Sequence, residues 1–138
     1  MSGYLLDTNV VSELRKPRPH GAVVSWFEGL RNEEVFLSAV TIGELQAGVE
    51  RARRYDVTKA REIEVWIDRI AEVYEILPMD TKAFREWGRL SNGLADHILE
   101  DAMIAAVARV HDLIVATRNE RDFKQLGVRL FNPFGFRS

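Results

Sequence analysis

Four polar positions in this chain stand where the backbone changes character, and all four carry oxygen ligands. Asp7 follows the apolar run Tyr4-Leu5-Leu6. Glu44 follows Val35-Phe36-Leu37-Ser38-Ala39-Val40. Asp101 opens the apolar stretch Ala102 to Ala108, and Asn119 follows Leu113-Ile114-Val115-Ala116. Three carboxylates gathered at one place repel and raise each other's pKa, so such a cluster is costly without a cation. Oxygen-only ligation suits the hard ions Mg²⁺ and Mn²⁺. The chemistry this supports is metal-assisted hydrolysis of a phosphoester. One ion lowers the pKa of a water to make the nucleophile, and a second, ~3.5–4 Å away, steadies the leaving oxygen. No residue need be alkylated or acylated, so the absence of cysteine costs this mechanism nothing.

Each position also has a purely structural reading. Asp7 or Asn9 suits the cap of a short helix. Thr41-Ile42-Gly43-Glu44 reads as a capping box, with Glu44 reaching back to the Thr41 amide. Asp101 in a first helical turn is favoured by the helix dipole, by ~0.3–1 kcal/mol. Asn119 suits the cap of the turn that includes Asp122 and Phe123. Taken singly, these readings are at least level with function. Jointly they weaken, because alternating strands and helices bring strand ends and helix starts to one sheet edge, where ligands of open α/β sheets bind. Asp101 adds a detail: its neighbours Ala102, Met103 and Ile104 place an acid at the mouth of an apolar interior, where an unpaired charge is poorly solvated. Glu44 lies beside the Ile42/Leu45/Val49 stripe on a helical wheel. None of the three histidines falls at a strand end. His20, His97 and His111 read as surface or loop residues, with His97, four before Asp101, the one within reach of the site.

The elements that position these residues follow from periodicity. Tyr4 to Leu6 is a first strand, and Asn9 to Leu14 a short helix stopped before Pro17 and Pro19. Residues 21 to 30 carry a helical apolar face (Val23, Val24, Trp26, Phe27, Leu30), and residues 35 to 40 are the second strand. A helix from Thr41 shows Ile42, Leu45, Val49 and Ala52 at spacings of three, four and three. Residues 57 to 74 form a long helix whose face is Ile63, Trp66, Ile67, Ile70, Val73 and Tyr74. Glu75 to Pro78 is the third strand, and Asp80 caps a helix that packs Phe84, Trp87 and Leu90. Ser91-Asn92-Gly93 is a break. The helix near Asp101 is apolar almost all round and therefore buried. Leu113 to Ala116 and Val128 to Phe131 are the last two strands. Such alternation implies an α/β fold: a central parallel sheet of four to five short strands with helices on both faces.

Composition sets the bounds. At 138 residues, 46% hydrophobic and 29% charged, the chain reads as one soluble globular domain, residues 1–138. With no cysteine there is neither a disulfide framework nor a thiolate zinc site. No apolar stretch reaches membrane-spanning length and no secretory leader is visible, which makes the cytoplasm the expected compartment. The net charge of −2 does not advertise nucleic-acid binding, so a polyanionic substrate must be held by local positive charge, a metal or a partner. Three basic clusters stand out: Arg15, Lys16 and Arg18; Arg51, Arg53 and Arg54; and Arg118 with Arg121. Most read as solvated charges paired with nearby Glu. Arg118 is the exception, because its neighbours place it at the site rim.

The ordered motifs resemble a known family. Leu5-Leu6-Asp7-Thr8-Asn9, Leu37-Ser38-Ala39-Val40-Thr41-Ile42-Gly43-Glu44, Asp101-Ala102-Met103-Ile104-Ala105-Ala106 and Val115-Ala116-Thr117-Arg118-Asn119 with Asp122-Phe123 resemble the PIN domain. More narrowly they resemble the VapC-type toxins of toxin–antitoxin pairs, FitB-like subgroup, as does the closing Phe131-Asn132-Pro133-Phe134. The resemblance implies a Mg²⁺- or Mn²⁺-dependent endoribonuclease with Asp7, Glu44 and Asp101 as its principal acids. It also implies in-line attack by a metal-activated water, leaving a 5′-phosphate. Asn119 matches a fourth position that is often Asp, so this chain departs from the four-acid pattern, and Asp122 is the candidate to supply the missing charge. Thr117 and Arg118 are candidate substrate contacts, and Thr8 and Asn9 shape the loop around Asp7. The family further implies a homodimer, a cognate antitoxin, and promoter DNA reached only through that antitoxin. Trp26, Phe27, Trp66 and Trp87 are core candidates, with a dimer or antitoxin groove as their second use.

Two rivals stand beside this reading. A phosphatase with Asp7 as covalent nucleophile usually needs a second acid two residues on, and position 9 is Asn9. A non-catalytic PIN-like module binding RNA or protein would be marked by loss of the acids, and three are retained.

Overall fold

The computed structural model describes residues 3–138. Five short strands, β1 (Tyr4–Leu6), β2 (Val35–Ser38), β3 (Glu75–Leu77), β4 (Ile114–Ala116) and β5 (Leu130–Phe131), form one sheet in the order β3-β2-β1-β4-β5. Every pairing is parallel, with Tyr4 opposite Val35 on one side and Ile114 on the other. Parallel neighbours need crossovers, and the helices supply them: α1 (Thr8–Arg15), α2 (Gly21–Glu28), α3 (Ala39–Arg53), α4 (Val57–Val73), α5 (Thr81–Leu90), α6 (Leu99–His111) and the short α7 (Glu120–Phe123).

The strands are apolar on both faces because both are covered. Leu5 and Val115 pack into one layer with α5, α6, Phe123 and Leu126. Leu6, Leu37 and Ala116 pack into the other with Val10, Val11, Val23 and Trp26. Truncating a fully buried side chain such as Leu5 to Ala costs ~2–5 kcal/mol. α3 and α4 form a hairpin closed by Val49, Ala60 and Ile67. In α6, Ala102 and Ile104 to Ala108 are all buried. The alanines let neighbouring backbones approach, and the helix stops at Asp112, whose left-handed backbone (φ 54) is one that Asp tolerates. The chain runs from β1 to β2 and β3 on one side, then crosses to β4 and β5 on the other. The switch therefore lies between β1 and β4, where the Asp7 amide donates to the Ala116 carbonyl (2.9 Å).

Three expectations are corrected. β2 ends at Ser38 rather than Val40, because the Ser38 hydroxyl accepts from the Val40 amide (3.1 Å) and starts α3 there. Thr41 is thus already inside the helix, and the Thr41/Glu44 capping box does not form. Val73 is 51% exposed: it sits at the edge of the α4 stripe, in the last turn. Phe84 is 47% exposed, because α5 turns Ala83, Trp87 and Leu90 to the core, one position away. Trp87 itself is held there by donating Nε1–H to the Leu99 carbonyl (3.1 Å). The remaining ends differ by one or two residues, as helix and strand termini do.

Candidate active site

Asp7 is both a helix cap and a member of the candidate site. It stands at the carboxyl end of β1, at the N-cap of α1, and its Oδ1 accepts from the Thr8 amide (2.8 Å). Its other oxygen faces β4: Oδ2 accepts from the Thr117 hydroxyl (2.7 Å) and from Asn9 Nδ2 (3.1 Å). The carboxyl is buried, at 5% exposure. Burial pushes its pKa up, and the Thr117, Thr8 and Asn9 bonds oppose that rise.

Glu44 reaches the same edge from α3. Freed from any capping role, its Oε1 accepts a 2.6 Å bond from the Thr8 hydroxyl, whose oxygen also lies 3.0 Å from the hydroxyl of buried Thr41. Thr8 therefore links Asp7 to Glu44 through one residue of backbone. Glu100, from the first turn of α6, lies within hydrogen-bonding reach of Glu44. Burial, then the Glu100 carboxyl and the Asp7 charge, push the Glu44 pKa up to about 7, against the Thr8 bond. Glu100 is a neighbour that the sequence motifs do not include. The signal is its position, an acid directly before Asp101 at a helix start.

Asp101 enters from the first turn of α6. Its Oδ2 accepts from Asn119 Nδ2 (3.1 Å), and the same amide donates to Asp122 Oδ2 (3.0 Å). Asn119 is the N-cap residue of α7, but its side chain makes no capping bond; it spends both donors on the two acids. Asp122 is accordingly turned inward. Burial, then the charges of Asp7, Asp122 and Glu100, push Asp101 up to about 6, and exposed His97 opposes this. Thus Asp7, Glu44, Asp101, Asn119 and Asp122 are brought to one edge of the sheet by five separate elements or turns.

Thr117 is placed differently from expectation. The sequence offers its hydroxyl as a candidate contact for a substrate phosphate, whereas the residue is fully buried. It donates to Asp7, and its oxygen accepts from the Asn119 amide (2.9 Å). Its work is to tie β1 to the Asn119 loop. Arg118 is exposed, and its backbone amide donates to Asn9 Oδ1 (3.3 Å). Of the other basic clusters, Arg53 is bound to Glu50 and Glu64 and Lys16 to Glu13, while Arg15 lies over Trp66.

The site carries a charge excess. Among the described residues, no Lys or Arg pairs with Asp7, Glu44, Asp101 or Asp122. Among the described residues, no group of three or more acids or histidines stands at ligating distance of one point as the side chains lie. Each acid is instead held by neutral donors: Thr8, Thr117, Asn9 and Asn119. An all-oxygen donor set with raised carboxyl pKa values and no protein cation suits a hard divalent ion.

Known proteins resemble this chain in sequence and in fold. The sequence profile of the PIN domain matches residues 4–128. Toxin FitB of Neisseria gonorrhoeae is 36% identical over 137 residues, covering 94% of this chain and 97% of its own. VapC ribonuclease Y4jK of Sinorhizobium fredii is 34% identical over 138 residues, covering 94% and 96%. Among solved structures, FitAcB from Neisseria gonorrhoeae superposes with a TM-score of 0.85 at 34% identity, over 96% of this chain and 99% of that one. FitAB bound to an IR36 DNA fragment superposes at 0.83 and 32% identity, over 98% of both chains.

Proposed function

Because the chain belongs to the PIN-domain family, we propose that it is a metal-dependent endoribonuclease, the toxin of a type II toxin–antitoxin pair, with residues 1–138 acting as one PIN-like domain. The observation that carries this reading is the meeting of Asp7, Glu44 and Asp101, from three elements, in a site where, among the described residues, no Lys or Arg pairs with an acid. These three would hold Mg²⁺ or Mn²⁺, with Asn119 and Asp122 as secondary ligands. When bound, the ion supplies Lewis acidity, easing deprotonation of the attacking water and stabilising charge on the phosphoryl oxygens.

The protein's own contribution is positional. Thr117, Asn9 and the Thr8 amide fix both oxygens of Asp7. Thr8 holds Glu44, and Asn119 holds Asp101 and Asp122 in line. Restraint of this kind keeps the reacting groups in one geometry. Arg118 at the rim offers N–H donors to an RNA phosphate.

The expected partners are a cognate antitoxin, a second copy of the chain, and promoter DNA reached through the antitoxin. Structures of FitAB, one of them on DNA, support this. So does an apolar groove of about 360 Å³, lined by Leu14, Val24, Phe27, Trp66, Ile70 and Tyr74, which suits an apolar helix face. No helix among the described residues is long and apolar enough to cross a membrane, and the cytoplasm is the proposed compartment.

The test is RNA cleavage with Mg²⁺ or Mn²⁺ by the parent, Asp7→Asn and Asp101→Asn. The parent should cut and both variants should lose activity. Activity retained in both, or undiminished by a chelator, would sink the reading.

A further inference from the structure

Arg118, the rim cation of the ribonuclease reading, is held from both ends. Its guanidinium carbon lies 4.4 Å from the centroid of the Phe134 ring, a cation–π distance. Phe134 is itself fixed. Its amide donates to Asn132 Oδ1 (3.0 Å), buried Pro133 precedes it, and its ring meets the His20 ring edge-on at 5.3 Å. The acid nearest in sequence, Glu120, is drawn aside: its Oε2 accepts from Asn132 Nδ2 (3.0 Å). No carboxylate among the described residues pairs with Arg118. At its other end, the Arg118 amide is bound to Asn9, which also donates to Asp7. An exposed guanidinium with no carboxylate partner thus rests on the Phe134 ring, on a residue whose backbone stands two hydrogen bonds from the first acid of the site.

We propose that Arg118, seated on Phe134, grips an RNA phosphate flanking the one that is cut, and that Phe134 is the positioning residue that holds it there. Cation–π contact uses the face of the guanidinium and leaves its in-plane N–H donors, the edge that matches phosphate. A long side chain otherwise loses rotamer entropy when it binds; the ring makes that loss in advance. In a chain of net charge −2, this places one oriented cation beside a cluster of acids that repels RNA. The loop before α2 that brings His20 against Phe134 also carries exposed Arg18.

The inference rests on the ribonuclease reading, and the test separates the two. Binding of a short fluorescein-labelled single-stranded RNA of mixed sequence is followed by anisotropy in EDTA across a salt series. The proteins are the parent, Arg118→Ala, Phe134→Leu and the double variant, with cleavage by the metal-loaded parent alongside. Arg118→Ala should weaken binding about tenfold at low salt and flatten the slope of log affinity on log salt by about 0.7, one single-strand phosphate contact. Phe134→Leu should weaken binding about threefold in the parent and change nothing further in the Arg118→Ala background. An unchanged slope in Arg118→Ala overturns the phosphate contact. An equal loss from Phe134→Leu in both backgrounds overturns the positioning role. If Phe134→Leu does not fold, the slope of Arg118→Ala, altered at an exposed side chain, still decides the phosphate contact. A parent that neither binds nor cuts RNA overturns both readings, whereas a parent that does both, with Arg118→Ala its equal, overturns this one alone.

Discussion

Asp101→Asn should make the metal-free protein more stable while removing its activity. Asp101 is half-buried at the start of α6, and its pKa is raised from 3.8 to about 6 by burial and by Asp7, Asp122 and Glu100. A rise of about two units corresponds to an upper limit of ~3 kcal/mol of penalty on the charged form. Solvent screening of a half-buried group brings this to about 1–2 kcal/mol. The amide forgoes ~0.3–1 kcal/mol of helix-dipole attraction, and its oxygen still accepts from Asn119. The net gain at pH 8 in a chelator is about 1 kcal/mol, or roughly 4 °C in melting temperature for a chain of this size. The sign with pH follows from the raised folded-state value. The folded protein binds more protons than the unfolded chain between about 4 and 6, so the penalty is absent below the unfolded value and complete above about 6. The advantage of Asp101→Asn should therefore vanish below about pH 4. Saturating Mn²⁺ should reverse the order, since a ligand at a hundred times its Kd adds ~2.7 kcal/mol to a protein that binds it. The assay is a set of thermal melts at pH 4 and pH 8, with EDTA and with Mn²⁺. A variant that melts below the parent in EDTA at pH 8, or whose advantage is the same at both pH values, would refute the electrostatic account of this site.

Other outcomes follow from the same contacts. In EDTA the parent should lose stability as pH rises from about 4 to about 7, while Asp101 and then Glu44, raised to about 7, ionise; Mn²⁺ should abolish the decline in pH-resolved melts. Thr8→Val removes the 2.6 Å bond to Glu44 and should lower kcat/KM about tenfold, since a bond to a charged group is worth ~1.5–3 kcal/mol before relaxation, with little change in the far-ultraviolet spectrum. Thr117→Val leaves the Asn119 amide and Asp7 short of a partner inside the protein and should cost ~2 kcal/mol, read as a lower urea midpoint. Asn119→Asp adds a charge between Asp101 and Asp122. It should lower the melting temperature in EDTA and tighten Mn²⁺ binding in calorimetry; looser binding would remove Asn119 from the ligand set.

Much of this protein is legible without coordinates because its signals are local. Short apolar runs that end in Asp7, Ser38 and Thr117 are strands covered on both faces, and their alternation with amphipathic stretches leaves a parallel sheet as the economical solution. The buried character of α6 is visible in Ala102 to Ala108, and the acids at segment boundaries stand out because such boundaries gather at one edge. The boundaries themselves are less legible. Ser38 and Thr41 are both good N-cap residues, and nothing local chooses between them; the choice of Ser38 follows from where β2 pairs with β1 and β3. That choice decides whether Glu44 is a cap or a site residue. Phe84 and Val73 likewise fit the apolar stripes of α5 and α4, and only the docking of those helices turns Ala83 and Ile70 inward in their place.

The residue types at Asp7, Glu44, Asp101 and Asn119, and hence a candidate all-oxygen site on an α/β scaffold, are properties of the sequence alone, because composition and period are written along the chain. Which neutral side chains hold the acids is not, because those partners are distant in the chain: Thr8 with Glu44, Thr117 with Asp7, Glu100 facing Glu44. Thr117 looks like a substrate contact until the β1–β4 crossing buries it. Asp122 is an ambiguous loop acid until α7 turns it toward Asn119. Arg118 stands out at the site rim already in the sequence, but its seat on Phe134 exists only once residues 132–134 fold back beneath it. Hydrogen bonds and desolvation depend on distances across the fold, and only the tertiary structure sets those.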